Sequence, residues 1–103
     1  MYIVIFVTCA NIKEAQNIAY ALVKEKLAAC VNIVNGIQSI FWWENKIDRT
    51  KEVLLIIKTK KSLFKKITAK VNSLHSYQVP EMISLSICDG NKDYLGWIDK
   101  NTK

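Results

Sequence analysis

The polar residues best placed to do chemistry fall in one short segment, His75-Ser76-Tyr77-Gln78-Val79-Pro80-Glu81. His75 is the only histidine. An imidazole titrates near neutrality and can act as a base or a metal ligand; at a helix end it also suits the negative pole of the helix dipole. Tyr77, beside a proline-containing loop, reads either as an acid or as a core tyrosine whose hydroxyl finds a partner. Glu81 follows Pro80 and precedes an apolar run, where a carboxylate needs solvent or a cation. Lys58, at the end of another apolar run, is a candidate for that cation.

The thiols add little by spacing alone. Cys9, Cys30 and Cys88 are odd in number and far apart, with no CxxC pair and no zinc-finger spacing. They read as small buried hydrophobes of a reducing cytosol. A catalytic cysteine would need His75 as its base, and no linear motif joins them. No GxSxG, Walker loop, HExxH or GxGxxG is present.

The net charge is +6, which first suggests a polyanion. Of the fifteen basic residues only Arg49 is arginine, and arginine supplies the bidentate contacts of base and phosphate recognition. The cluster Lys60, Lys61, Lys65, Lys66 and Lys70 reads as a solvated helix face. The segment Lys51 to Thr59 lacks the aromatics that an RNA-recognition strand would stack on bases. Nucleic acid is therefore not expected as a partner. A membrane is not expected either, because no apolar run is long enough to span one. Met1 to Val7 lacks the basic region of a signal peptide, and a cytoplasmic location is expected.

A chain of 103 residues suits one domain with one core. Residues 2–8 read as a strand buried on both sides. Asn11 with Glu14 three residues on is a variant capping box. Ala15, Ile18, Ala19 and Leu22 follow at helical spacing, up to about Lys26-Leu27. Residues 29–43 read as a long strand, broken at Asn35-Gly36 where glycine marks a bulge. A polar turn over 44–49 leads to a second arm over 51–59. Leu63, Phe64, Ile67, Val71 and Leu74 predict a helix over 61–75, which Pro80 keeps from continuing. Residues 82–88 alternate as a strand that is half exposed, and residues 94–98 form a short closing helix.

The order is β-α-β-β-α-β plus a C-terminal helix. That is an α+β, ferredoxin-like sandwich with two helices on one face of a four-stranded sheet. The unbroken apolar run Val53 to Ile57 does not alternate, as a strand with one wet face would. Trp42 and Trp43 are adjacent, so on a strand they point to opposite faces; one can join the core and the other needs another cover. Both observations say that the second sheet face is covered too, in a chain this small by further copies of itself.

Leu27-Ala28-Ala29-Cys30-Val31-Asn32-Ile33, Gly36, Ser39 to Glu44, Glu52 to Thr59, His75 to Glu81, Gly90-Asn91 and Tyr94-Leu95 with Trp97-Ile98 closely resemble CutA, the divalent-cation tolerance family. The resemblance implies a tight homotrimer, similar in architecture to the PII signalling proteins. It would bind divalent cations, copper in particular, with no organic cofactor and no established enzymatic activity. It also implies metal ligation by Cys9 and His75, and an inter-subunit cleft around Trp43, Lys58, Tyr77, Glu81, Tyr94 and Trp97, with Glu44 nearby. Leu74 stands where some members carry a second histidine, and Ser76 where the family usually has proline. With one thiol and one imidazole per subunit, the site suits copper but binds weakly or by bridging subunits. An enzyme using His75, Tyr77 and Glu81, or a trimeric scaffold for a partner protein, are the alternatives.

Overall fold

The computed structural model describes all 103 residues. The elements run β1 (Tyr2–Cys9), α1 (Ile12–Lys24), β2 (Cys30–Trp43), β3 (Lys46–Lys60), a 3₁₀ turn (Lys61–Leu63), α2 (Phe64–Leu74), β4 (Met82–Ser86) and α3 (Lys92–Lys100). The sheet order is β2-β3-β1-β4, antiparallel throughout. This is the α+β, ferredoxin-like order that the alternation of periods predicts.

Strict alternation builds the core. Ile3, Ile5, Val7 and Cys9 of β1 point to one face, beside Val53, Leu55, Ile57 and Thr59 of β3. The buried stripes of α1 (Ala15, Ile18, Ala19, Leu22) and α2 (Ile67, Val71) close over that face. Asn11 caps α1, its Oδ1 accepting from Glu14 N at 2.9 Å, which satisfies one orphan N–H of the first turn. The helix stops at Lys24, two residues short of the expected end, because Lys26 turns left-handed (φ 57°) and the chain folds back on Leu22.

The opposite face carries no helix. Val4 and Phe6 lie there beside Leu54 and Ile56, with Leu85 opposite Val4 and Ile83 opposite Phe6. Ile83 and Leu85 are half exposed. The alternation in β4 thus runs opposite to a simple inside–outside reading: its serines share the helix side with Ile3 and Ile5, and its large apolar side chains face the open side. β1 is accordingly buried on one side only within the chain, its even-numbered residues being partly exposed.

The β2–β3 hairpin is longer than the sequence suggests. The expected six-residue turn is only Glu44-Asn45, both at positive φ (49° and 65°), and Ile47 to Thr50 pair in the ladder. Two consecutive positive φ values give the twist that suits a two-residue hairpin. Gly36 (φ 77°) marks the register shift between Val34 and Ile37. Trp42 and Trp43 point to opposite faces, and neither joins the core: they are 73% and 61% exposed. The arms simply run beyond the helices that would have covered them.

That turn gives a direct test. Glu44 is a poor residue for a left-handed conformation, and Asn-Gly is the preferred pair for such turns. Replacing Glu44-Asn45 by Asn-Gly is expected to stabilise the fold by about 0.5–1 kcal/mol, measured by urea unfolding. An unchanged or lower midpoint would show that the turn conformation carries no strain.

Candidate functional site

The segment joining α2 to β4 crosses the end of the sheet and lies over β1 and the base of the hairpin. Its backbone has few partners of its own. His75 N donates to Val71 O at 2.9 Å, and residues 76–81 make no backbone–backbone hydrogen bond. Side chains hold it instead. Glu14 Oε1 accepts from Ser76 N at 2.7 Å, and Oε2 accepts from Ser76 Oγ at 3.0 Å and from Ala10 N at 3.3 Å. His75 Nε2 meets Thr8 O at 2.7 Å, so Nε2 carries the proton, since a carbonyl can only accept. Nδ1 accepts from Tyr77 N at 3.0 Å and lies 3.1 Å from Glu14 Oε1. The His75 side chain is fully buried and that of Glu14 nearly so. Burial would raise the Glu14 carboxyl, but the Ser76 donors, the positive charge of the His75 ring when it is protonated and the Ala10 N–H outweigh it and hold it below the ordinary range.

Tyr77 then reaches across to β3, its hydroxyl donating to Glu52 Oε2 at 2.8 Å. Burial pushes the Tyr77 phenol up to about 12, and the Glu52 carboxylate adds to this by accepting its proton. Thr8 Oγ1 donates to Glu81 Oε1 at 3.5 Å. Between this loop and the open face of the hairpin lies a cleft of ≈ 850 Å³. Phe41, Trp43, Asp48, Thr50 and Glu52 line one side, and Tyr77, Val79 and Glu81 the other.

Of the residues singled out from sequence, Trp43, Tyr77 and Glu81 line this cleft. Glu44 sits at the hairpin tip in a separate shallow recess with Trp43 and Asp48. Lys58 is not the partner of Glu81. It lies along the open face opposite Val4 and Cys30, and its Nζ donates to Asn32 Oδ1. Tyr94 and Trp97 stack on each other on α3 (centroids 5.5 Å apart, planes at 29°) and do not line the cleft.

Glu52, Asp48 and Thr8 were not anticipated. The available signal is the period of two along β3: Glu52 shares a face with Leu54 and Ile56, a carboxylate in an otherwise apolar row. The sequence marks Glu14 only as a helix cap; nothing in a linear sequence announces its second role 62 residues away.

Cys9 and His75 are poor metal ligands as folded. Cys9 is fully buried, and burial, with the Glu14 and Glu52 carboxylates, pushes its thiol up to about 12. Metals bind the thiolate, so coordination there would have to overcome that shift. Both His75 nitrogens are occupied by backbone partners. No group of three or more His, Cys, Asp or Glu side chains in the chain could hold a metal ion.

Together these features define a small split-βαβ protein with one covered sheet face, one open face and a loop-capped cleft where the two meet the hairpin. The chain belongs to the CutA1 divalent ion tolerance protein family, whose profile matches residues 3–101. It is 44% identical over 99 residues to the divalent-cation tolerance protein CutA of Thermus thermophilus, covering 96% of each chain. It is 48% identical over 101 residues to the chloroplastic protein CutA 1 of Oryza sativa, covering 98% of this chain and 57% of that one. The chain thus spans little more than half the length of its plant relatives. The solved Thermus thermophilus structure, described as a divalent cation tolerance protein, superposes over the whole of both chains with a TM-score of 0.98 at 44% identity. The Archaeoglobus fulgidus structure, described as a periplasmic divalent cation tolerance protein, covers 100% of both chains at 0.97 and 40%.

Proposed function

We propose that this chain works as a cytoplasmic homotrimer, without enzymatic activity, that binds a divalent cation or a small ligand at clefts between subunits. The observation that carries this reading is the uncovered apolar surface. Ile83 and Leu85 on the open face and Ile40, Trp42, Trp43 and Ile47 on the hairpin are each at least half exposed. Ile83 and Leu85 continue the apolar open face of Val4, Phe6, Leu54 and Ile56, an area that monomers rarely leave in water, and a free hairpin edge invites pairing with another chain. Assembly of three copies covers both.

The cleft supports the ligand half of the reading. Asp48, Glu52 and Glu81 line it with no lysine or arginine among them, which favours a cation. A single subunit supplies no complete metal site, so tight binding needs groups from a neighbouring copy. Copper is the cation that the family resemblance puts first, and the shared name of the relatives agrees with a divalent ion in general. Light scattering tests the assembly: a mass three times that of the 11.8 kDa chain is expected, and a monomeric mass at micromolar concentration overturns it. Calorimetry with Cu²⁺ tests the site. Glu81→Gln is expected to weaken binding by about tenfold, the loss of one charged ligand contact, and equal affinity in both proteins removes the cleft from consideration.

A further inference from the structure

The side chains that hold the 75–81 segment form one connected set, and the cleft depends on them. Residues 76–81 have no backbone–backbone hydrogen bonds, so their position comes from Glu14 and His75. Glu14 fixes Ser76 through two bonds (2.7 and 3.0 Å) and is itself tied to α1 and to Ala10. His75 bridges Thr8 O on β1 to Tyr77 N (2.7 and 3.0 Å). The result is a Tyr77 ring packed against the imidazole, with centroids 4.7 Å apart, and a hydroxyl 2.8 Å from Glu52.

We propose that Glu14 and His75 are a positioning clamp that delivers the Tyr77 hydroxyl to Glu52 across the cleft, and that neither His75 nor Cys9 is a metal ligand. The geometry separates the two roles. A metal-binding imidazole needs one nitrogen free for the ion while the other is oriented by a hydrogen bond. Here the second nitrogen is already used, and its use fixes a backbone N–H that has no other acceptor. A ring pulled toward a metal would leave Thr8 O or Tyr77 N without its partner, each loss costing the desolvation of a partly buried group. A role for the clamp in ligand binding rests on the cleft reading given above; the clamp itself does not.

The only histidine of the chain makes the test unambiguous. In the full-length, ¹³C,¹⁵N-labelled protein at mildly alkaline pH, the imidazole ¹⁵N spectrum is expected to show a protonated Nε2 and a bare Nδ1. Both resonances are expected to stay in place on titration with Zn²⁺. Glu14→Ala is expected to move the Tyr77 Cζ resonance to the value of a solvated tyrosine and to speed Tyr77 amide exchange by about tenfold or more, the loss of one to two hydrogen bonds. The Tyr94 ring, away from the clamp, stays unchanged and controls for general loosening. Glu52→Gln should move the Tyr77 Cζ and leave the His75 ring nitrogens alone. Should Glu14→Ala fail to fold, Glu14→Gln keeps one acceptor oxygen and is expected to show a smaller shift of the same Tyr77 resonance. Unchanged Tyr77 signals in the folded Glu14 variant overturn the clamp, and movement of either His75 nitrogen with Zn²⁺ overturns the exclusion of His75. Copper affinity unchanged in Cys9→Ala supports the exclusion of that thiol, and a tenfold loss overturns it. A monomeric wild type with an intact Tyr77 signature removes the trimer reading and leaves the clamp standing.

Discussion

Replacing Phe6 by Asp is expected to leave the chain folded but monomeric. Phe6 stands in the middle of the open face, directly opposite Ile56 on β3 and Ile83 on β4. Its neighbours along β1 on that side are Val4 and Thr8. None of the side chains directly opposite carries a charge, so a carboxylate there has water as its partner in the monomer and nothing close by in an assembly that covers the face. An unpaired buried charge costs several kcal/mol, and a symmetric trimer would suffer it in every copy. The domain's own core lies on the other side of the sheet. The sixteen residues from Ile3 to Val71 that form it do not include Phe6, and β1 keeps its alternating pattern. Light scattering should therefore report 11.8 kDa in place of three times that value, while circular dichroism keeps its shape. A variant that still assembles would show that the open face is not what the copies share, and the self-association would then have to run through the hairpin edges alone.

The parts of this architecture that were legible in the sequence are those that local periodicity encodes. The two helical stripes, the capping pair Asn11 and Glu14, the bulge at Gly36 and the order of elements could all be read from spacing. The tight Glu44-Asn45 turn could not, because Glu44 is a poor left-handed residue, although Asn45 suits that conformation, and the polar run through Arg49 resembles a longer loop. That the two tryptophans face opposite sides follows from their adjacency on a strand. Their failure to enter the core follows from the length of the hairpin relative to the helices, a property of three-dimensional extent that no local pattern carries. The site was legible by residue type and less so by partner. Tyr77 and Glu81 line the cleft, but Tyr77 pairs with Glu52 and Glu81 with Thr8. Lys58, read as the cation for Glu81, is turned to Asn32 because its place in the β3 alternation puts it at the other end of the open face.

Cys9 is expected to react with iodoacetamide far more slowly in the folded chain than in the unfolded one. The thiolate is the reacting form. Burial first, and then the negative charges of Glu14 and Glu52, carry the thiol from its ordinary 9.0 to about 12. At about pH 8, below both values, that shift lowers the thiolate fraction by roughly a thousandfold, before any further slowing from the closed core. With Cys30 and Cys88 replaced by serine, Cys9 is the sole thiol, and the ratio of rates with and without denaturant reads the effect directly. A ratio below about ten would mean that the end of β1 is open to solvent and that the packing of Cys9 under α1 is loose. The same shift sets the direction of alkaline unfolding. The folded thiol holds its proton more tightly than the unfolded one, so the native state binds more protons between pH 9.0 and about 12. Stability is therefore full below 9.0 and falls as pH rises toward 12, by at most about 1.4 kcal/mol per pH unit for this group. Tyr77, raised from 10.0 to about 12, loses stability in the same direction over the upper part of that window. Cys9→Ala removes the first contribution and leaves the second. Its unfolding midpoint should decline less steeply than that of the parent from pH 9 to about 12, the decline that remains above pH 10 coming from the tyrosine.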